Sequence, residues 1–386
     1  MSETPYPGVE PAALPAATVP ELMEALALPG LGAITVRRLL RRFGSWPKAR
    51  AASSAELREL GLKPSAARAV QQGRPESDPA EEAEKARAAG VRILSCSDPE
   101  FPPGLRNDDH QPLLLYVKGT LRETDRLAVG VVGSRRASLY GRSHAERLAF
   151  DLAQAGVAVV SGLAQGVDTA AHNGALKGGG RTLAVLGNGL GSVYPPENAA
   201  LAERVAQSGA LISELPMGAP PAAANFPPRN RIIAGLSVGV LVVEASRTSG
   251  ALITARMAGE MGRDVFALPG DIGRPQTRGS NQLLRDGATL VESVQDILEA
   301  LGPLTAPLAV REGEAPLPDP RALMLNQHER LLFDLLDGTP KDIDQLTRES
   351  KLSAANSASI LMVLELKHLA AQLPGQRYVR AGALLR

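Results

Sequence analysis

Residues 225–255 read NFPPRNRIIAGLSVGVLVVEASRTSGALITA, and this stretch decides the fold because it sets two glycine-and-arginine loops on either side of one buried strand. The run 237–244 is short, apolar and β-rich, as in the middle strands of a parallel sheet covered on both faces. It ends at Glu244. SRTSG and a helical pattern follow, so the amides of Ser249 to Leu252 belong at a helix N-terminus, where unpaired N–H groups and the helix dipole favour an anion. Upstream, Arg229 and Arg231 flank the start of another helix, with Phe226 among prolines. The competing reading makes these arginines surface ion-pair partners and Phe226 a core plug. Charge favours the anion site: residues 225–285 carry eight arginines against four acids, a net +4, whereas the whole chain is only +1.

Working outward, short apolar runs at 127–132, 157–160, 182–186, 210–213, 238–243, 265–268 and 288–291 alternate with helical patterns. Parallel neighbours need crossover helices, so this alternation predicts an α/β fold, a doubly wound parallel sheet of Rossmann-like type. Glycines punctuate the strand ends at Gly133, Gly162, Gly187 and Gly270. Ligands of such sheets bind outside the carboxyl ends of the strands, so these loops define one rim. Gly133-Ser134-Arg135-Arg136 follows the first strand and offers turn amides, a hydroxyl and guanidinium forks, three kinds of donor suited to phosphate oxygen. An ordinary strand-to-helix turn with solvated arginines is the alternative. Gly187-Asn188-Gly189-Leu190-Gly191 lacks the G-x-G-x-x-G spacing and is a weak dinucleotide signal.

Ser161, Asp168 and His172 invite an enzymatic reading, since Asp168 and His172 are four apart and share a helix face. Ser161 lacks the G-x-S-x-G elbow, however, and one histidine with one carboxylate is too few ligands for zinc. A structural Asp-His pair is the expectation, with no catalytic residue, metal or cofactor. The single cysteine, Cys96, excludes an internal disulfide, and no apolar run approaches the roughly 18 residues of a spanning helix. No signal-peptide pattern opens the chain, which points to the cytoplasm. Aromatic residues make up 3%, too few for an extended base-stacking platform.

The flanks read differently. Residues 1–80 carry LPGLGAITVRRLL and ELGLKPSAARAV, helical segments with glycine turns of SAM-like or helix-hairpin-helix-like type. Arg37, Arg38, Arg41 and Arg42 have no acid among them and form a second candidate DNA contact or, equally, a solvated basic face. Residues 303–322 are a proline-rich linker between the core, 81–302, and a C-terminal part, 323–386. Three helical patterns and a two-stranded wing around Pro374-Gly375 outline a winged helix there. Its third helix, SAANSASILMVLEL, has Glu365 as its only charge, a poor inventory for reading bases, which favours a protein-contact or regulatory module.

The motifs VGSRRASLYG, SGLAQGVDTAAHNGAL, TLAVLGNGLGSVYPPEN, LISELPMG, FPPRNRIIAGLS, VVEASRTSGALITARMA and VFALPG resemble, in order and spacing, those of the DNA-processing protein A family, also called DprA or Smf. The resemblance covers residues 91–301 closely and the ends more loosely. It implies an extended Rossmann core, commonly dimeric, that binds single-stranded DNA without an established catalytic activity. It further implies that the protein protects that DNA and loads the RecA recombinase onto it in natural transformation, with a single-strand-binding protein as a further candidate partner. By motif, Ser134 and Arg135 would hold phosphate, with Phe226, Arg229, Asn230 and Arg231 beside them and Ser249 and Gly250 closing the pocket. Gly133, Arg136 and Gly162 on the same rim complete the candidate set. Ala222, Ala223 and Ala224 stand where members carry a lysine, and Glu197 adds an acid, which shifts the expected basic path toward Arg274 and Arg278. The alternative function is that of a Lonely Guy-like nucleoside monophosphate phosphoribohydrolase, or a nucleotide-binding protein. Against the hydrolase, residues 245–259 contain no acid where its loop requires a carboxylate.

Overall fold

The apolar run that follows Ser237 is a central strand with no exposed residue, because helices cover it on both sides. The computed structural model describes residues 17–106, 112–302, 325–336, 341–366, 369–373 and 377–380, so the linker and the Pro374-Gly375 turn lie outside the described residues. Six helices come first: α1 (Val19–Leu26), α2 (Ala33–Phe43), α3 (Trp46–Ala51), α4 (Ser54–Glu59), α5 (Pro64–Gln72) and α6 (Pro79–Ala88). Strands β1 (Val91–Ser95) and β2 (Leu114–Gly119) follow. The alternating part comprises β3 (Ala128–Val132), α7 (Leu139–Gln154), β4 (Ala158–Ser161), α8 (Val167–Lys177), β5 (Thr182–Val185), α9 (Ala199–Ser208) and β6 (Ala210–Ser213). It continues with α10 (Phe226–Leu236), β7 (Gly239–Val242), α11 (Gly250–Glu260), β8 (Asp264–Ala267), α12 (Arg278–Arg285), β9 (Thr289–Leu290) and α13 (Val294–Leu301).

The sheet runs β1-β2-β6-β5-β4-β3-β7-β8-β9. Strands β3 to β9 are all parallel, as their crossover helices require. The order reverses between β3 and β7, which pair with Val132 opposite Val242, so a crevice opens above that junction. Side chains alternate along each strand. Val132 and Val242 face a core with Ile232, Ile233 and Ala255 of α10 and α11, while Val131 and Val243 face a core with Leu148, Leu152 and Ile297 of α7 and α13. Each fully buried Leu or Ile of this kind contributes about 1.5–3 kcal/mol.

One departure from the all-parallel expectation is at the edge. β1 and β2 pair antiparallel with each other, and β2 pairs antiparallel with β6. The hairpin is covered by the helical segment, whose core of Leu22, Leu39, Trp46 and Val70 includes Leu113 and Leu114. Glu82 of α6 further accepts a hydrogen bond from the Met217 amide at 2.6 Å.

The second unit holds α14 (Gln327–Leu335), β10 (Lys341–Asp342), α15 (Ile343–Ser350), α16 (Ala354–Leu366), β11 (Ala370–Leu373) and β12 (Arg377–Arg380). Its three strands order as β10-β12-β11, and three helices with this small antiparallel sheet make a winged helix. Leu332, Leu346, Leu361 and Tyr378 build its core, while Met362 of α16 stands 64% exposed.

Candidate functional site

Three segments converge above the β3–β7 junction. The first is Gly133 to Arg136. A Cβ on Gly133 would lie 2.6 Å from Val167 Cγ2, so the chain turns there against α8. The Ser134 amide donates to the Glu244 carbonyl at 2.7 Å, joining this loop to the one after β7. Ser134 Oγ accepts from the Arg136 amide at 3.1 Å, closing a local turn that leaves both Arg135 and Arg136 exposed. Gly166, at φ +82°, gives the passage a second constraint, since a Cβ there would run into the Ser134 carbonyl.

The second segment is the loop into α11. Ser249 caps that helix, its Oγ accepting from the Ala251 amide at 3.3 Å, and no acid occupies the first turn. The Ser249 and Leu252 amides are also taken, by the Ser246 and Ser249 carbonyls, so the Gly250 amide and the positive end of the dipole are what this helix start offers the crevice. Glu244 does not oppose them. Its carboxylate accepts from the Ser138 amide at 3.0 Å and from Ser138 Oγ at 2.9 Å, holding the start of α7.

The third segment is the start of α10. Phe226 lies under Arg135, whose guanidinium carbon is 4.5 Å from the ring centroid, within cation–π range. Arg229, only 7% exposed, extends downward and donates to the Val185 carbonyl. Gly162 makes room for it, because a Cβ there would strike the guanidinium. Asp168 lies close enough for its charge to act on Arg229, and accepts from the Gly162 amide at 3.1 Å. Burial raises the Asp168 carboxyl above its usual range against the pull of Arg229, and burial brings Arg229 down to about 10. At neutral pH Arg229 remains a cation.

Together these residues enclose a cavity of about 390 Å³. Gly133, Ser134, Arg135, Arg136, Phe226, Arg229, Asn230, Ser249 and Gly250 all line it. A smaller cavity of about 170 Å³ adjoins it across the Arg135–Phe226 stack, lined by Gly162, Gln165, Tyr194 and Glu197 among others. Three guanidiniums against one buried carboxyl leave the larger cavity cationic, suited to an anion with spaced oxygens.

Other sequence-chosen residues lie elsewhere. Arg231, two positions after Arg229, turns to the opposite side and pairs with Glu214. Arg274, on the loop after β8, and Arg278, the first residue of α12, are exposed and do not line the cavity, and Arg274 pairs with Asp271 at 3.4 Å. The Gly279 amide nevertheless donates to the Ala245 carbonyl at 2.7 Å, keeping Arg278 beside the β7 loop. Arg37 is 4% exposed and belongs to the helical core, so it presents no charge to solvent; Arg41 is half-buried, and Arg38 and Arg42 are exposed.

Asp168 and His172 do not pair. His172 Nδ1 meets Thr182 Oγ1 at 2.7 Å, and that hydroxyl donates onward to the Val159 carbonyl, so the imidazole is the donor. Its other nitrogen is buried without a hydrogen bond, and burial lowers the histidine to about 3. Residues not singled out from sequence include Ser246, Ile253 and Thr254 on the cavity wall. Thr254 lies four after Gly250, and that helical spacing was the available signal. Among the described residues no group of three His, Cys, Asp or Glu side chains could hold a metal. No helix among them is long and apolar enough to cross a membrane.

Comparison with known proteins agrees with this architecture. The E. coli (strain K12) protein Smf is 49% identical over 210 residues, covering 54% of this chain and about half, 56%, of that protein's length. The X-ray structure of DNA processing protein A from Streptococcus pneumoniae covers 74% of this chain and 98% of its own at 34% identity and a TM-score of 0.65. A Helicobacter pylori DNA processing protein A, described for its single-stranded DNA binding mode, covers 55% of this chain and 95% of its own at 30% identity and a TM-score of 0.50. Residues 314–376 match the DprA winged helix domain. Residues 92–302, the sheet and its rim included, match the model of DNA recombination-mediator protein A, and the chain belongs to that family.

Proposed function

We propose that the cavity above β3 and β7 binds the sugar-phosphate backbone of single-stranded DNA, and that the protein is a non-catalytic mediator of recombination. The observation that carries this reading is the cavity itself, where the Gly250 amide and dipole at the start of α11, the turn at Ser134 and the guanidiniums of Arg135, Arg136 and Arg229 converge. The Arg135–Phe226 stack offers one aromatic face beside the phosphate donors, enough to favour an unstacked base without reading its identity. Two carboxylates near the cavity are already engaged, Asp168 by backbone amides and Glu244 by Ser138, which supports binding over hydrolysis. Arg274 and Arg278 extend the basic surface beyond the cavity, and Arg38 and Arg42 form a second contact on the helical segment. Arg231 acts through its Glu214 pair, holding α10 in place.

The resemblance to the family supports the finer reading that the protein acts in the cytoplasm as a homodimer, protects single strands and loads RecA in place of a single-strand-binding protein. A binding titration of single against double strands at several salt concentrations tests the first step, with single strands bound more tightly and a slope of roughly −0.7 per phosphate neutralised. Equal affinity for duplex would overturn it. A strand-exchange assay on coated single strands tests the second, and no stimulation at any ratio would reduce the protein to a DNA-protecting module. Incubation with AMP should release no adenine.

A further inference from the structure

A second cavity of about 390 Å³ lies at the opposite end of the sheet, against the amino end of β7. Its floor is Leu183, Leu236 and Val238; one wall is the segment Pro99 to Gly104, and the other is Leu121 to Arg126. The first wall is held tightly to α10, since a Cβ on Gly104 would collide with the Gly235 carbonyl oxygen. Charge around this cavity is unequal in a way that its lining alone conceals. Three arginines, Arg122, Arg126 and Arg263, face three acids, Glu100, Glu123 and Asp125. Glu100, however, is paired with Arg92 outside the cavity, and Asp125 is held by a two-pronged contact from Arg181, also outside it. Glu123 pairs with Arg126 at 3.3 Å. Arg122 and Arg263 have no carboxylate partner among the described residues, and Arg263 Nε is buried without a hydrogen bond.

We infer that this cavity is a docking site for an acidic peptide segment of a partner protein, with an aliphatic side chain of the peptide seated on the floor. Charge complementarity argues for the occupant: two uncompensated guanidiniums beside aliphatic and prolyl walls fit carboxylates next to an apolar side chain. A nucleotide fits less well. The one aromatic in the lining, Phe101, is wholly buried and offers no face for a base. The site does not depend on the DNA reading, because the two cavities share no lining residue.

The experiment titrates the full chain into a fluorescein-labelled peptide of alternating aspartate and leucine and follows anisotropy. A peptide with asparagine for aspartate, AMP, and unlabelled oligothymidylate are run beside it. Saturable binding of the acidic peptide is expected, undisturbed by oligothymidylate and weakened at least roughly tenfold by Arg263→Glu and by Arg122→Glu. Arg122 is exposed, so its variant should keep the parent's melting temperature and serve if Arg263→Glu fails to fold. Arg135→Ala should leave peptide binding unchanged. The proposal is overturned by the absence of saturable binding, by equal binding of the asparagine peptide, by indifference to Arg122→Glu, or by displacement with oligothymidylate. AMP competing for the site would reassign it to nucleotides and overturn it too.

Discussion

Arg135→Ala isolates one contact of the proposed DNA cavity with little collateral change. The residue is exposed, lines both upper cavities and stacks on Phe226, and no carboxylate is paired with it among the described residues. A charge-assisted bond to phosphate contributes about 1.5–3 kcal/mol, which corresponds to roughly 10- to 150-fold in affinity. Losing the exposed stack costs about 0.5–1 kcal/mol, and in a domain of this size that lowers the melting temperature by only about 1–4 °C. Arg229→Ala would be a poor probe by comparison. It leaves Asp168 buried without its cation, at a cost of about 3–5 kcal/mol, so lost binding and lost folding would be confounded. The assay is anisotropy of labelled oligothymidylate at several salt concentrations. Beyond the weaker affinity, the slope of log K against log salt should shrink by about 0.7, the signature of one phosphate contact gone. A variant with the parent's affinity and slope would refute the placement of DNA in this cavity.

Arg231→Ala should lower thermal stability more than Arg135→Ala and lower DNA affinity less, since its partner is Glu214; a loss of affinity equal to that of Arg135→Ala would put it in direct contact with DNA. The unfolded chain protonates His172 near 6.5 but the folded one only near 3, so stability should fall with pH between those values, by up to about 1.4 kcal/mol per pH unit. Asp168, raised by burial, acts in the opposite sense, since above the unfolded value of 3.8 the folded state holds a proton that the unfolded carboxylate has lost, so the His172 contribution is read as the difference between parent and variant. His172→Asn keeps a donor near Thr182 and should flatten the dependence of melting temperature between about pH 7 and 5; equal slopes for variant and parent would sink the assignment. Deleting residues 320–386 should leave most single-strand affinity, while Arg38→Gln with Arg42→Gln should weaken it more. The opposite ranking in a titration would place the second contact on the winged helix.

The parallel strands were legible because each is a short apolar run stopped by a turn, a local signal. The β1–β2 hairpin was not, because β2 pairs with β6 roughly ninety positions later and no local spacing encodes that partner. Phosphate-type loops could be read from glycine, serine and arginine next to a strand end. Which arginine faces which way could not, since neighbours one or two apart on a helix point to different sides. Arg229 reaches the cavity floor while Arg231 meets Glu214, and Arg37 is buried while Arg38 is exposed. Asp168 and His172 share a helix face as their spacing requires, yet each found a nearer partner in backbone amides or Thr182.

The β1–β2 hairpin is owned by two interiors at once. Leu94, Leu115 and Val117 belong to the core of the sheet, while Ile93, Leu113 and Leu114 belong to the helical segment. A tethered domain would sample many separations, and its contribution to binding would vary with linker length. Here the spacing between Arg38 and the rim cavity is a fixed dimension of the molecule. With DNA held at both points as proposed, residues 17–302 would act as a ruler: a strand too short to span both would gain nothing from the second, and affinity should rise with oligonucleotide length in one step rather than gradually.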